Sequence, residues 1–98
     1  VARHNVMVSA VVRFAHGPHD VGAGKRGWFT IENLDTNDPH PPEVHGRLMD
    51  NLPVIHKYID QVMAHEGVDE SRLIFAGFSQ GASAAYYAAV TRDKPVAG

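Results

Sequence analysis

Apolar residues run almost unbroken from Val6 to Val12, and Phe14 follows after Arg13. A stretch so rich in β-branched residues predicts a strand covered on both faces, as in a parallel sheet. Between Glu43 and Glu66 the period changes. Val44, Leu48, Leu52, Ile55, Ile59 and Val62 recur at steps of three and four, which places them on one helical face. Gly67 then predicts a left-handed cap. Pro53 interrupts the pattern, so a kink is expected there, or two helices with Pro53 in the first turn of the second. Arg72 to Ala76 predicts a second buried strand, entered through the turn Asp69-Glu70-Ser71. Gln80 to about Thr91 predicts an alanine-dense helix, with Pro95 beyond its end. Ala15 to Gly27 is glycine-rich and predicts a loop; Trp28 to Ile31 is a short apolar patch, and Asn33 to Pro42 a polar connection. The order strand, helix, strand, helix implies an α/β fold with parallel strands and a right-handed crossover.

Chemistry enters at the junction of the second strand and the last helix. Gly77-Phe78-Ser79-Gln80-Gly81 fits the G-x-S-x-G pattern of a nucleophile elbow. The pentapeptide alone is weak evidence; the apolar strand running in and the small-residue helix running out give it weight. A serine there must adopt a strained backbone to point its hydroxyl out of the sheet. Gly77 and Gly81 omit side chains that would collide across the turn. The helix directs its positive dipole end at the site, and the Gln80 N–H is placed to donate to an oxyanion. A tight Gly-Ser turn without chemistry is the bland alternative.

Leu73 to Ala82, with its narrower G-F-S-Q-G form, resembles the nucleophile segment of the phospholipase/carboxylesterase family of α/β-hydrolases, which includes acyl-protein thioesterases. Gly27-Trp28-Phe29-Thr30-Ile31 is similar to the W-F-D-I patch that this family carries before its long helix, and Phe14 to His19 stands where the family has a strand ending in an alanine-proline turn. The resemblance spans roughly Val11 to Val90. It implies a partial α/β-hydrolase fold over residues 1–98, the middle segment of such a domain, and hydrolysis of carboxylic esters or acyl thioesters. Thr30 departs from the family's usual aspartate.

The larger departure concerns the triad. On this fold the acid and the histidine follow the serine in chain order, but the residues after Ser79 hold one acidic side chain, Asp93, and no histidine. All seven histidines precede it. His16 and His19 are the least implausible substitutes, because loops at strand ends border such sites. His16-Gly17 also fits the His-Gly oxyanion loop of lipases, an alignment that leaves too little chain before the elbow. With Asp20 these histidines lack any established metal-ligand spacing and read as solvated loop residues. His45, His56 and His65 fall on the polar flank of the long helix. Trp28 and Phe29 fit either the wall of an acyl pocket or a core position under the loop, and Phe78 at the elbow is a further candidate for the wall.

Composition narrows the classes. A formal charge of −2 with scattered lysines and arginines gives no electrostatic case for nucleic acid or an anionic membrane. No apolar run reaches the length of a membrane span, which takes about 20 residues. The absence of cysteine removes disulfides and thiolate metal sites and fits a cytoplasmic setting. The chain starts at Val1, not Met, which suggests a piece of something longer. The expectation is therefore a serine hydrolase segment forming an acyl-enzyme on Ser79. Gln80 serves the oxyanion, a small ester or thioester is the substrate, and no cofactor or metal takes part. The alternative is a truncated or degenerate hydrolase that keeps the elbow without its acid and base. Two strands cannot cover a parallel sheet that normally has more neighbours, so an exposed apolar edge, open to self-association, is expected in either case.

Overall fold

The computed structural model describes residues 10–22, 24–29, 37–38 and 42–98. The periodic stripe forms one continuous helix, α1 (Pro42–Glu66), in which Leu48, Leu52, Ile55 and Ile59 are buried. Pro42 opens it with a fixed φ suited to a first helical turn, where no backbone donor is needed. Pro53 lies inside the helix without dividing it in two. Its ring costs the Met49 carbonyl a donor, but Pro53 and Met49 are both exposed, so water can serve that carbonyl. At the other end Gly67 takes φ +67° and the Val68 N–H bonds the Met63 carbonyl at 3.1 Å, the six-to-one bond of a Schellman cap.

The stripe packs on the alanine face of α2 (Gln80–Val90), where Ala84 and Ala88 are buried one turn apart. Phe29 completes this core, and Trp28, Val44, Met63, Leu73, Phe75 and Tyr87 pack against it from partly buried positions. Methyl side chains on α2 let the bulkier α1 residues approach closely, so the contact excludes water despite its small size.

The strand expectations need correction. Of the first predicted strand, Val6 to Ser9 lie outside the described residues; the remainder to Phe14 forms no strand, and Val11, Val12 and Phe14 are exposed. The second, Arg72 to Ala76, starts instead in a 3₁₀ turn, Glu70–Arg72, capped by Asp69, whose Oδ1 accepts from the Ser71 N–H at 3.0 Å. Leu73 onward is extended yet belongs to no sheet. Its alternation is nonetheless that of a strand, with Leu73 and Phe75 against the core and Ile74 76% exposed. A strand is defined by a ladder, and here only the last residues run alongside. Phe75 N–H donates to the Gly98 carbonyl at 2.8 Å, while Ala97 and Gly98 N–H donate to the Leu73 carbonyl at 2.8 and 3.3 Å.

Among the described residues, the glycine-rich segment holds the sheet that forms. Strands β1 (His19–Gly22) and β2 (Lys25–Gly27) pair antiparallel, with Gly24 at φ +71° in the turn. The loop expected there is thus a hairpin. Gly17 lies so close to Gly27 that an added Cβ would fall 2.1 Å from its carbonyl carbon. Arg26 ties the base of the hairpin, donating from Nε to the Gly17 carbonyl at 3.1 Å and from Nη2 to the Pro18 carbonyl at 2.6 Å. His19 Nε2 donates to Asn51 Oδ1 at 2.8 Å, which docks the hairpin on α1.

At the far end of α2, Arg92 joins the helices. Its Nη2 donates to Asp60 at 2.7 Å and Glu70 at 3.0 Å, and its Nη1 donates to His56 Nδ1 at 3.0 Å. Because Nδ1 accepts, the His56 proton sits on Nε2 and is given to Thr91 Oγ1 at 2.7 Å. Burial, and then the Arg92 cation, push the His56 imidazole below its ordinary range, against the opposite pull of Asp60 and Asp93. The unfolded chain therefore binds this proton more readily, and stability falls as pH drops through the window below the ordinary imidazole value. The carboxylates of Glu66 and Glu70, lowered by bonds from Arg13 and Arg92, act in the same direction at lower pH. The melting temperature is expected to fall between about pH 7.5 and about pH 5.5, where imidazole but not carboxylate titrates. His56→Asn should flatten that slope in a calorimetric pH series.

Candidate active site

Ser79 links the extended segment to α2 and is the one described non-glycine residue with positive φ, at φ +56° and ψ −121°. Such backbone conformations cost roughly 1–3 kcal/mol and persist only where the surroundings dictate them. The surroundings here are the two glycines. A Cβ on Gly77 would fall 2.1 Å from the Gly81 carbonyl oxygen and 2.6 Å from the Ala82 nitrogen, so the chain crosses itself backbone to backbone. Gly81 N–H closes the turn onto the Phe78 carbonyl at 2.9 Å, and Ala82 N–H bonds the Ser79 carbonyl at 3.0 Å.

The Ser79 side chain makes no capping bond to the helix it precedes, and the residue is exposed. A serine at a helix start ordinarily spends its oxygen on the first-turn N–H groups; this one leaves its hydroxyl to the solvent side. The Gln80 N–H is among the first-turn donors that have no carbonyl four residues earlier in the helix to bind. It therefore lies beside the serine, where a negative oxygen would be favoured by the helix dipole.

The two elbow glycines turn out to be unequal. Gly77 answers to backbone atoms, as expected. A Cβ on Gly81 would meet only the Trp28 indole, with Nε1 3.7 Å away, an ordinary contact. The turn itself therefore does not require a glycine at position 81; its bare surface faces the indole.

The three aromatic candidates part company. Phe29 is 5% exposed and sits in the α1 core, the second of its two readings. Trp28 is half-buried between that core and Gly81. Phe78 is 92% exposed beside the serine.

Gln80 carries a feature that the motif alone did not suggest. Its Oε1 accepts from the Trp28 N–H at 2.5 Å and the Phe29 N–H at 3.4 Å, while Nε2 donates to the Phe29 carbonyl at 3.2 Å. Its polar side chain at the head of an apolar helix was the available signal, but nothing in the chain order announces a partner so far upstream.

Of the histidines weighed as a base, His19 has its Nε2 proton committed to Asn51 and His16 is exposed in the segment before β1. His45 Nδ1 is 3.0 Å from the Tyr87 hydroxyl, and His56 is bound to Arg92 and Thr91. His4, His40 and Thr30 lie outside the described residues. A cleft of about 290 Å³ lined by His56, Asp60, Thr91, Arg92 and Asp93 opens at the opposite end of α2 from Ser79. Among the described residues no group of His, Asp and Glu could hold a metal ion, and no helix is long and apolar enough to cross a membrane.

The sequence model of one protein family, described as Phospholipase/Carboxylesterase, matches residues 6–98. Among curated proteins and among solved structures, none matches the chain.

The backbone geometry sets expectations for three substitutions. Gly77→Ala forces main chain apart and is expected to lower unfolding free energy by roughly 1–3 kcal/mol or more. Gly81→Ala, with ordinary contact only, should stay within about 1 kcal/mol of the parent. Ser79→Gly relieves the positive φ, and denaturant unfolding should find it more stable than Ser79→Ala by about 1 kcal/mol.

Proposed function

The chain belongs to the phospholipase/carboxylesterase family, and from that premise we propose that Ser79 is the nucleophile of a serine hydrolase acting on carboxylic esters or acyl thioesters. The family is hydrolytic, and its α/β fold frames the reading of this chain. Leu73 to Ala76 and the residues at 96–98 act as neighbouring parallel strands joined by α2. The support is the bond pattern in which Gly98 N–H reaches back to Leu73 and its carbonyl accepts from Phe75.

The chemistry follows from the turn. Ser79 Oγ attacks the acyl carbon and its proton passes to a base; the carbonyl π electrons move onto oxygen, which the Gln80 N–H stabilises. The tetrahedral intermediate collapses with loss of the alcohol or thiol, which takes up the proton, leaving an ester on Ser79. Water then attacks that ester, and the acid is released with the serine hydroxyl restored. A histidine outside this chain is the base of this proposal; His19, His45 and His56 are already bound to Asn51, Tyr87 and Thr91. Trp28 and Phe78 flank the acyl group. The substrate class is a small ester or thioester, lysophospholipids and acylated proteins included, in a cytoplasmic setting.

The single observation that carries the reading is the strained, exposed, uncapped Ser79 at the head of α2. A fluorophosphonate probe tests it, because Oγ–P bond formation with loss of fluoride needs a reactive serine at an anion-stabilising site. In the protein that carries the base as well as these residues, labelling confined to Ser79 in peptide mapping, together with p-nitrophenyl ester turnover that Ser79→Ala abolishes, is the expected result. Turnover that survives Ser79→Ala would remove the proposal, and a chain that neither labels nor turns over would favour a non-catalytic relative.

A further inference from the structure

The carboxamide of Gln80 treats Phe29 as a neighbouring strand would, accepting from its N–H and donating to its carbonyl. It also takes the Trp28 N–H. Neither N–H has a backbone acceptor among the described residues. The side chain thus supplies main-chain partners across a gap that no strand fills. Both ends of this link are anchored. Phe29 is fixed in the core with Leu48 and Leu52, and Gln80 is the first residue of α2. Between the ends the Trp28 indole rests against Gly81.

We propose that Gln80 is a positioning residue twice over, its side chain fixing the orientation of the first turn of α2 and holding Trp28 beside the elbow. The catalytic consequence rests on the hydrolase reading above; the clamp does not. Only the bonds Cα–Cβ, Cβ–Cγ and Cγ–Cδ connect the Gln80 main chain to its anchored carboxamide. A swing of that first turn would move the oxyanion donor with it, and a misplacement of about 1 Å at a reacting centre can cost roughly a hundredfold in rate. The geometry is selective for glutamine. Methionine has the length but no donor and only a weak thioether acceptor, and glutamate keeps the acceptor alone.

Trp28 is the single tryptophan, so its emission reports the clamp directly. Gln80→Met should keep parental far-UV helicity, shift Trp28 emission to the red and increase acrylamide quenching. It should also slow fluorophosphonate labelling of Ser79 roughly tenfold, the worth of about one net hydrogen bond. Gln80→Glu sets a carboxylate oxygen against the Phe29 carbonyl where the Nε2 donor stood, so its Trp28 emission should also move to the red. Parental emission in Gln80→Met overturns the clamp. A shifted emission with unslowed labelling in Gln80→Met overturns the positioning role and leaves the hydrolase reading intact. Absence of labelling in the parent itself defeats the hydrolase reading while the clamp stands on its fluorescence. Should Gln80→Met lose its helicity, amide exchange in the parent decides: slow exchange at Trp28 and Phe29 supports the clamp, and exchange as fast as at an exposed loop amide overturns it.

Discussion

The described helices and the turn between them hang on one contact, the apolar stripe of α1 against two alanines of α2. Leu48, Leu52, Ile55 and Ile59 bury themselves on a surface built from Ala84 and Ala88. Each buried leucine or isoleucine contributes about 1.5–3 kcal/mol in water-exclusion terms. Phe29 and Phe75 enter the same core from opposite sides of the elbow, one from the loop after the hairpin and one from the extended segment. The strained Ser79 backbone is thus held by elements that share a single hydrophobic anchor. A larger residue at position 84 or 88 would part the helices and free the turn from what sustains its conformation.

That core covers one side only. Leu73 and Phe75 point inward while Ile74 and Phe78 face solvent, and Val11, Val12 and Phe14 are likewise uncovered. An alternating segment with one dry face and one wet, apolar face has the patterning of a strand, with only one of its faces covered among the described residues. The two polar hubs take up some of the structural burden at the edges. Arg92 gathers Asp60, Glu70 and His56 beyond α2, and Gln80 substitutes for a ladder at its head.

Local signals in the sequence were reliable and long-range ones were not. The α1 stripe, the Gly67 cap, the start of α2 and the strain at Ser79 each follow from side chains within a few positions of one another. Pairing does not. The residues before Phe14 and from Arg72 to Ala76 have strand composition, but composition cannot supply the neighbour that makes a strand, and the described residues offer little of one. The hairpin from His19 to Gly27 was missed for the opposite reason. Its glycines read as loop formers, although a left-handed Gly24 between short flanking segments is also how a tight hairpin is made. At the site, the G-x-S-x-G spacing located the turn but treated Gly77 and Gly81 alike, and it said nothing of the Gln80 carboxamide. Both facts depend on what lies across from the turn, on Trp28 and Phe29.

The bonds joining Leu73 and Phe75 to Ala97 and Gly98 also bear on the order in which the molecule assembles. They close a loop that contains α2 and little else, and the entropy lost on closure grows only with the logarithm of loop length. Closing that loop costs less entropy than the Gln80 link to Phe29, which must span more than half the chain, by about 0.6 kcal/mol per doubling of length. The turn at Ser79 can therefore be sketched by its own neighbourhood before the hairpin and Trp28 arrive. On this account the elbow is a late-finished structure built on an early-formed frame, and its last adjustment is made by residues far from it in sequence.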